Sequence, residues 1–236
     1  MQLSKLEHRA VTAVENNQLA VFTPKDIQLL LQLSLVQTYN LIKSLKKKKC
    51  IQKVGKSRFA LSGTDELRIA TLVHFPSYIS FWSALSYYGF TDQLPRTIFL
   101  ASSRQHHPTG SFRYVLLKPN LFFGYTAAGN IILAEKEKAL LDSLLFPKYS
   151  GGIKEIKRCL KSARSQINIP KLIDYALKMD RKVLLRRLGF LLEQEGLPKN
   201  KLALLKRNLG QGYEKLDPSL PRKNKWNAYW LLDVNI

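Results

Sequence analysis

Residues 23–61 read TPKDIQLLLQLSLVQTYNLIKSLKKKKCIQKVGKSRFAL, and breaks in its hydrophobic pattern divide this stretch into four elements. Thr23-Pro24-x-Asp26 supplies an N-cap, a proline at the first helical position, where its missing N–H is not needed, and an acid in the first turn. A short helix therefore runs from Pro24 to about Leu31. Leu33-Ser34 interrupts the pattern, and Ser34 caps a further helix that continues through about Lys47. In that helix Leu35, Tyr39, Ile42 and Leu45 are assigned to the packed side, and Gln37, Asn40, Ser44 and Lys47 to the open side. Ile51–Val54 and Arg58–Leu61 are two short strands joined by the basic turn Gly55-Lys56-Ser57.

On the N-terminal side, Leu3, Leu6, Ala10, Ala13 and Val14 recur at helical spacing and describe an amphipathic first helix up to about Gln18. Helix, helix, capped helix and basic hairpin is the order of a winged helix-turn-helix, expected over residues 1–62. A helix so placed can enter a major groove and offer Gln37, Thr38, Asn40 and Ser44 to base edges. Lys43, Lys46, Lys47, Lys48 and Lys49, with Lys56 and Arg58 of the hairpin, would then lie against phosphates. Two blander readings stay open. The run KSLKKKK can be a solvated helix end whose cations favour the C-terminal dipole, and some modules of this shape bind proteins. Such modules also commonly place Gly where the third helix ends; Lys49-Cys50 stand there, which leaves that end unfixed.

Charge points the same way. The 236 residues carry 38 Lys and Arg against 17 Asp and Glu, a formal net charge of +21. Residues 1–62 hold eleven cations and three acids, residues 63–145 seven and six, and residues 146–236 twenty and eight. Two basic ends flank a neutral middle, a balance that suits a polyanionic partner and makes nucleic acid the first candidate. The cations are spread over many segments instead of one basic amphipathic helix, which argues against a membrane surface. The N-terminus lacks the apolar core of a signal peptide, and no run approaches the roughly 18 apolar residues that span a bilayer. Cys50 and Cys159 are too few for a disulfide framework, so a reduced, cytoplasmic setting is expected.

The middle, residues 63–150, reads as a small α+β unit: a buried aromatic helix over about 77–88, strands at 97–102, 112–117 and 131–133, then a helix from Ala134 that ends before Pro147. Asp92, Glu135, Glu137 and Asp142 are conceivable metal ligands of a nuclease. Glu135 and Glu137 point away from each other on a helix, however, and Glu135–Lys138 pairing explains them as a solvated face. His106-His107 sit in a polar loop with no third ligand at recognisable spacing, so no metal is expected there. No phosphate-binding Gly-rich loop, nucleophile elbow or triad spacing occurs, and neither cofactor nor catalysis is expected.

Tyr78-Ile79-Ser80, Ala84-Leu85, Gly89 and Leu94-Pro95 followed by a strand, then AEKEKALLD over 134–142 and RRLGFLLE over 186–193, resemble the AbiEi-type antitoxin and transcriptional regulator family over most of the chain. The resemblance implies a winged helix that binds operator repeats in duplex DNA and represses its own operon. It also implies a C-terminal portion that counters a nucleotidyltransferase-like toxin, generally without a tight complex.

The last third, residues 151–236, reads as a basic, mainly helical part. Gly151-Gly152 marks a hinge, helices begin near Lys154, Pro170 and Pro198, and Val183–Glu193 closed by Gly196 is a long amphipathic helix. The tail RKNKWNAYWLL over 222–232 mixes cations with Trp226, Tyr229 and Trp230, a composition that can stack single-stranded bases and so carries an RNA-binding alternative. The favoured reading has these aromatics close the core as a last strand.

Overall fold

Each of the first three helices begins on a side chain that takes over its orphan N–H groups. In the computed structural model, which describes residues 2–236, α1 spans Lys5–Asn16, α2 Pro24–Leu31 and α3 Leu35–Lys47. Ser4, Thr23 and Ser34 cap them, and Glu7, Asp26 and Gln37 reach back to the cap N–H in reciprocal capping boxes. Each such cap stabilises by about 1 kcal/mol, which is why these boundaries follow from local sequence. α3 ends without glycine: Lys49 itself takes the left-handed conformation, φ 58°. The Cys50 N–H donates to the Leu45 carbonyl at 3.0 Å and the Lys49 N–H to that of Lys46 at 3.1 Å, the two bonds that close such an ending.

β1 (Ile51–Gly55) and β2 (Arg58–Leu61) follow as an antiparallel hairpin, and Phe22 exchanges two 2.8 Å backbone hydrogen bonds with Phe59 to extend it. Ala10, Val14, Phe22, Ile27, Leu41 and Leu45 are the centre of a separate small core. The element order expected of residues 1–62 is therefore present.

Beyond it come α4 (Glu66–Val73), β3 (Ser77–Ile79), α5 (Phe81–Tyr87), β4 (Ile98–Ser102), β5 (Phe112–Leu116), β6 (Tyr125–Ala128), β7 (Ile131–Ala134) and α6 (Lys136–Leu145). Five strands form a mixed sheet in the order β5-β4-β3-β7-β6, with β3 at its centre and buried throughout. The expected aromatic helix over 77–88 is thus shorter: residues 77–79 pair with β4 and β7 instead. α4 and the exposed strand β6 have no counterpart in the sequence reading.

The remainder is α7 (Gly152–Ala163), α8 (Ile169–Met179), α9 (Lys182–Gln194) and α10 (Ala203–Arg207), closed by the short strands β8 (Glu214–Lys215), β9 (Trp226–Asn227) and β10 (Leu232–Asp233). The class is α+β, as expected. α6 packs against α5, α7, α8 and α9, so one buried cluster runs from Val54 and Ala60 through to Trp230 and Leu232. Gly151 and Gly152 both take positive φ in the turn before α7, and the core continues across this turn.

Central burial overturns the solvated-face reading of α6. Glu137, Lys138 and Asp142 are all buried, and Lys138 pairs with Asp142, not with Glu135. Asp142 also accepts hydrogen bonds from the Ser80 hydroxyl at 2.8 Å and the Tyr78 hydroxyl at 3.2 Å. Burial, with the adjacent Asp142 charge, holds the Tyr78 hydroxyl well above its usual pKa, so it stays a donor. Two of the tail aromatics face inward as favoured. Trp230 is fully buried against α9, where a Cβ on Gly189 would lie 2.1 Å from its ring, and Tyr229 is half-buried beside Lys199 and Lys206. Trp226 stays exposed. Among the described residues no helix is long and apolar enough to cross a membrane.

Candidate nucleic-acid interface

Packing of α3 against α1 and α2 decides which of its residues face outward. Thr38, Leu41, Ile42 and Leu45 are buried, so these form the inner face. At 100° per residue the opposite line is Val36, Asn40, Lys43 and Lys47, and all four are exposed. Leu35, Tyr39 and Lys46 flank this line on one side and Gln37 on the other.

Several expected base or phosphate contacts are therefore corrected. Thr38 is fully buried and its hydroxyl donates to the Ser34 carbonyl at 2.9 Å, which removes it from any groove. Ser44 turns inward, where its hydroxyl donates to Glu7 Oε1 at 2.6 Å. Lys48 is also committed: its Nζ lies 2.6 Å from Glu7 Oε2 and donates to the Gln2 carbonyl at 2.9 Å. With Lys48 first, then the Ser44 hydroxyl and the Ser4 N–H donating to it, the Glu7 carboxyl is held down at about 2. Leu35 and Tyr39, expected to pack, are more than half exposed, 55% and 54%. The spacing 36-40-43-47 was the signal to read. Leu35 and Tyr39 fit a helical stripe as well as the true one does, and only the positions of α1 and α2 separate the two.

Gln37, Asn40, Lys43, Lys46, Lys47 and Lys56 remain exposed. The Gln37 side-chain oxygen accepts from the Ser34 N–H at 2.9 Å, which leaves its amide N–H groups free. In the hairpin the two cations differ. Lys56 is at the exposed turn, and Lys53, which the sequence reading passed over, is exposed beside it. Arg58 is half-buried and faces His74 and His106, whose rings stack with centroids 4.3 Å apart. Burial first, then the adjacent His106 and Arg58 for His74 and Arg104 and Arg58 for His106, lower both pKa values and disfavour the protonated rings. His106 is accordingly not an exposed loop residue; only His107 is.

The inner face of the hairpin is shared with the larger core through Val54 and Ala60, and a cleft of about 410 Å³ separates its tip from residues 108–112. The hairpin is therefore fixed to the rest of the molecule, with Lys53 and Lys56 turned to solvent. In the basic C-terminal part some cations are structural. Arg186 donates to the carbonyls of Leu209 and Gln211, and Arg187 to that of Leu144, with burial lowering the Arg187 pKa to about 10.

The candidate nuclease carboxylates are dispersed in function. Asp142 serves Lys138, the Glu137 carboxylate accepts from the Asn168 N–H at 2.8 Å, and that of Glu135 accepts from the Tyr175 hydroxyl at 2.6 Å. Among the described residues no three His, Cys, Asp or Glu side chains gather as metal ligands would.

No family model matches the chain, and no curated protein matches it in sequence. In structure it is similar to the RV2827C protein from Mycobacterium tuberculosis, solved by crystallography. The TM-score is 0.71 over 98% of this chain and 92% of that one, at 14% identity. That degree of likeness establishes a shared fold.

Proposed function

We propose that this protein is a cytoplasmic, duplex-DNA-binding transcriptional regulator, with residues 1–62 acting as a winged helix-turn-helix whose α3 enters the major groove. The observation that carries the proposal is the outward line of α3, where Asn40 sits among exposed Lys43, Lys46 and Lys47 and no acid is present on the helix. Amides pair with adenine edges and lysines with phosphates. Two of the three acids of this unit are committed elsewhere, Glu7 to Lys48 and Asp26 to the cap of α2, and the third, Glu15, stands near the end of α1 and not on α3. Lys53 and Lys56 extend the cationic surface along the hairpin.

A fluorescence-anisotropy titration of a random-sequence duplex tests this. Binding that weakens steeply with salt is expected, and changing Lys43, Lys46 and Lys47 together to Ala lowers the slope of log affinity against log salt by about 2–3. An unchanged slope refutes the assignment. Tighter binding to single-stranded RNA than to duplex supports the RNA-binding alternative, which the burial of Trp230 weakens and exposed Trp226 keeps open.

The antitoxin part of the proposal, autorepression with action against a nucleotidyltransferase-like toxin, rests on the family resemblance. Co-expression with the toxin-like product of a neighbouring gene tests it, with restored growth as the expected result and continued arrest as the refutation.

A further inference from the structure

The exposed line of α3 changes chemistry along its length. Its C-terminal half carries Lys43, Lys46 and Lys47, whereas its first turns present Val36, which is 70% exposed, with Leu35 and Tyr39 beside it. Leu29, 67% exposed on α2, is a further open apolar side chain of this unit. Apolar side chains this open, in a unit this basic, suit a partner that is apolar at its centre and anionic at its edges.

A second protein surface answers the first requirement, but a net charge of +21 sets this chain against a second copy of itself. The major groove answers both. Its floor displays the C5-methyl group of thymine, and two rows of phosphate border it. The ridge of α3 has the complementary order, with aliphatic carbons and the Asn40 amide on the outward line and lysines further along and to the flank. Arginine or lysine reads guanine with two bonds; α3 carries no arginine, and its lysines stand in the C-terminal half, beyond Val36 and Asn40.

We infer that α3 selects A·T-containing DNA by covering thymine methyl groups with Val36 and Leu35 while Asn40 pairs with an adjacent adenine. This rests on the DNA-binding reading above and adds the class of site. Each methyl removed from water on binding tightens the complex about fourfold.

Three duplex probes test the inference with the full chain: alternating d(A-T), the same polymer with deoxyuridine for thymidine, and alternating d(G-C). The uridine polymer differs from the first only in lacking the methyl groups. Expected is a loss of about four- to tenfold on passing from thymidine to deoxyuridine, and weaker binding still to d(G-C). Val36→Ala should weaken binding to d(A-T) while leaving deoxyuridine binding within about twofold, which a general loss of grip does not do. Equal binding to the thymidine and deoxyuridine polymers, with d(G-C) weaker, overturns methyl readout and leaves the A·T preference to adenine pairing by Asn40 or to groove shape. Equal binding to all three overturns selection and leaves DNA binding intact. No binding to any duplex removes the underlying reading and this one with it. Self-association of the free protein that Val36→Ala abolishes assigns the patch to a second copy and overturns the inference.

Discussion

Two lysine–carboxylate pairs, one in each core, do opposite work. Glu7 and Lys48 join the start of α1 to the end of α3 at the rim of the N-terminal unit, where Lys48 keeps 17% of its side chain in water. Lys138 and Asp142 lie one turn apart on α6 with no exposure at all, beneath the rings of Tyr78 and Phe123. Glu7 is itself buried, with 5% of its side chain exposed, so only the lysine end of this pair meets water and its attraction is partly screened. A buried pair has lost its hydration, so each partner is compensated only by the other and by the hydroxyls of Tyr78 and Ser80. The N-terminal unit spends its polar side chains on caps and an open face, whereas the larger core uses them to fix one arrangement of α5, α6 and β3.

Removing the buried partner is the largest expected effect. Lys138→Ala should cost about 3–5 kcal/mol in chemical denaturation, because it leaves Asp142 charged and unpaired in a dry site. A loss below about 1 kcal/mol shows that water reaches the pair and dissolves the contrast between the two regions.

Gly189→Ala comes next. The new methyl would sit 2.1 Å from the Trp230 ring, and that ring is itself fully enclosed, so it has no free space to move into. A loss of about 1–3 kcal/mol with altered Trp fluorescence is expected. An unchanged melting curve means that the tail does not pack on α9 as described.

At the rim the expected effect is a pH dependence. The folded Glu7 carboxyl sits at about 2 against an ordinary value of 4.5, so the unfolded chain takes up its proton first as pH falls. Its contribution is complete above about pH 4.5 and disappears as pH approaches 2. Glu7→Gln should remove that contribution near neutrality, with a smaller loss than Lys138→Ala, and flatten stability against pH within the window, so that the two curves meet near pH 2. A steep slope that persists in Glu7→Gln assigns the acid sensitivity to other carboxylates.

The smallest effect on folding, and the sharpest separation of the two regions, belongs to the open face. Lys43, Lys46 and Lys47 are exposed on α3, so changing all three to Ala should move stability by no more than about 0.5 kcal/mol. Near-normal melting alongside the lower salt slope isolates grip from folding, and a marked loss of stability would show that these lysines hold the unit together.

Local sequence by itself determined the helix bounds of the N-terminal unit. Thr23-Pro24-x-Asp26 and Ser34-x-x-Gln37 fix helix starts through bonds made within four residues, so α2 and α3 have the bounds their caps imply. The uneven charge, and with it the nature of the partner proposed, was also open to counting. Everything that depended on neighbours distant in the chain was decided by the fold. Leu35 and Tyr39 follow a helical period as faithfully as Thr38, Leu41 and Leu45 do, and the placement of α1 and α2 chose the second set to bury. Ser44 and Lys48 look like free polar residues until Glu7, far back in the sequence, comes to meet them. Glu137 and Lys138 read as a surface because charged side chains are seldom fully enclosed, and Asp142 as a conceivable metal ligand. They are inside because α6 is surrounded by four helices and a sheet, and Tyr78 and Ser80 of β3 and its following turn supply the hydrogen bonds that make burial tolerable. Caps and composition act through nearest neighbours along the chain, while burial is a property of what arrives from elsewhere.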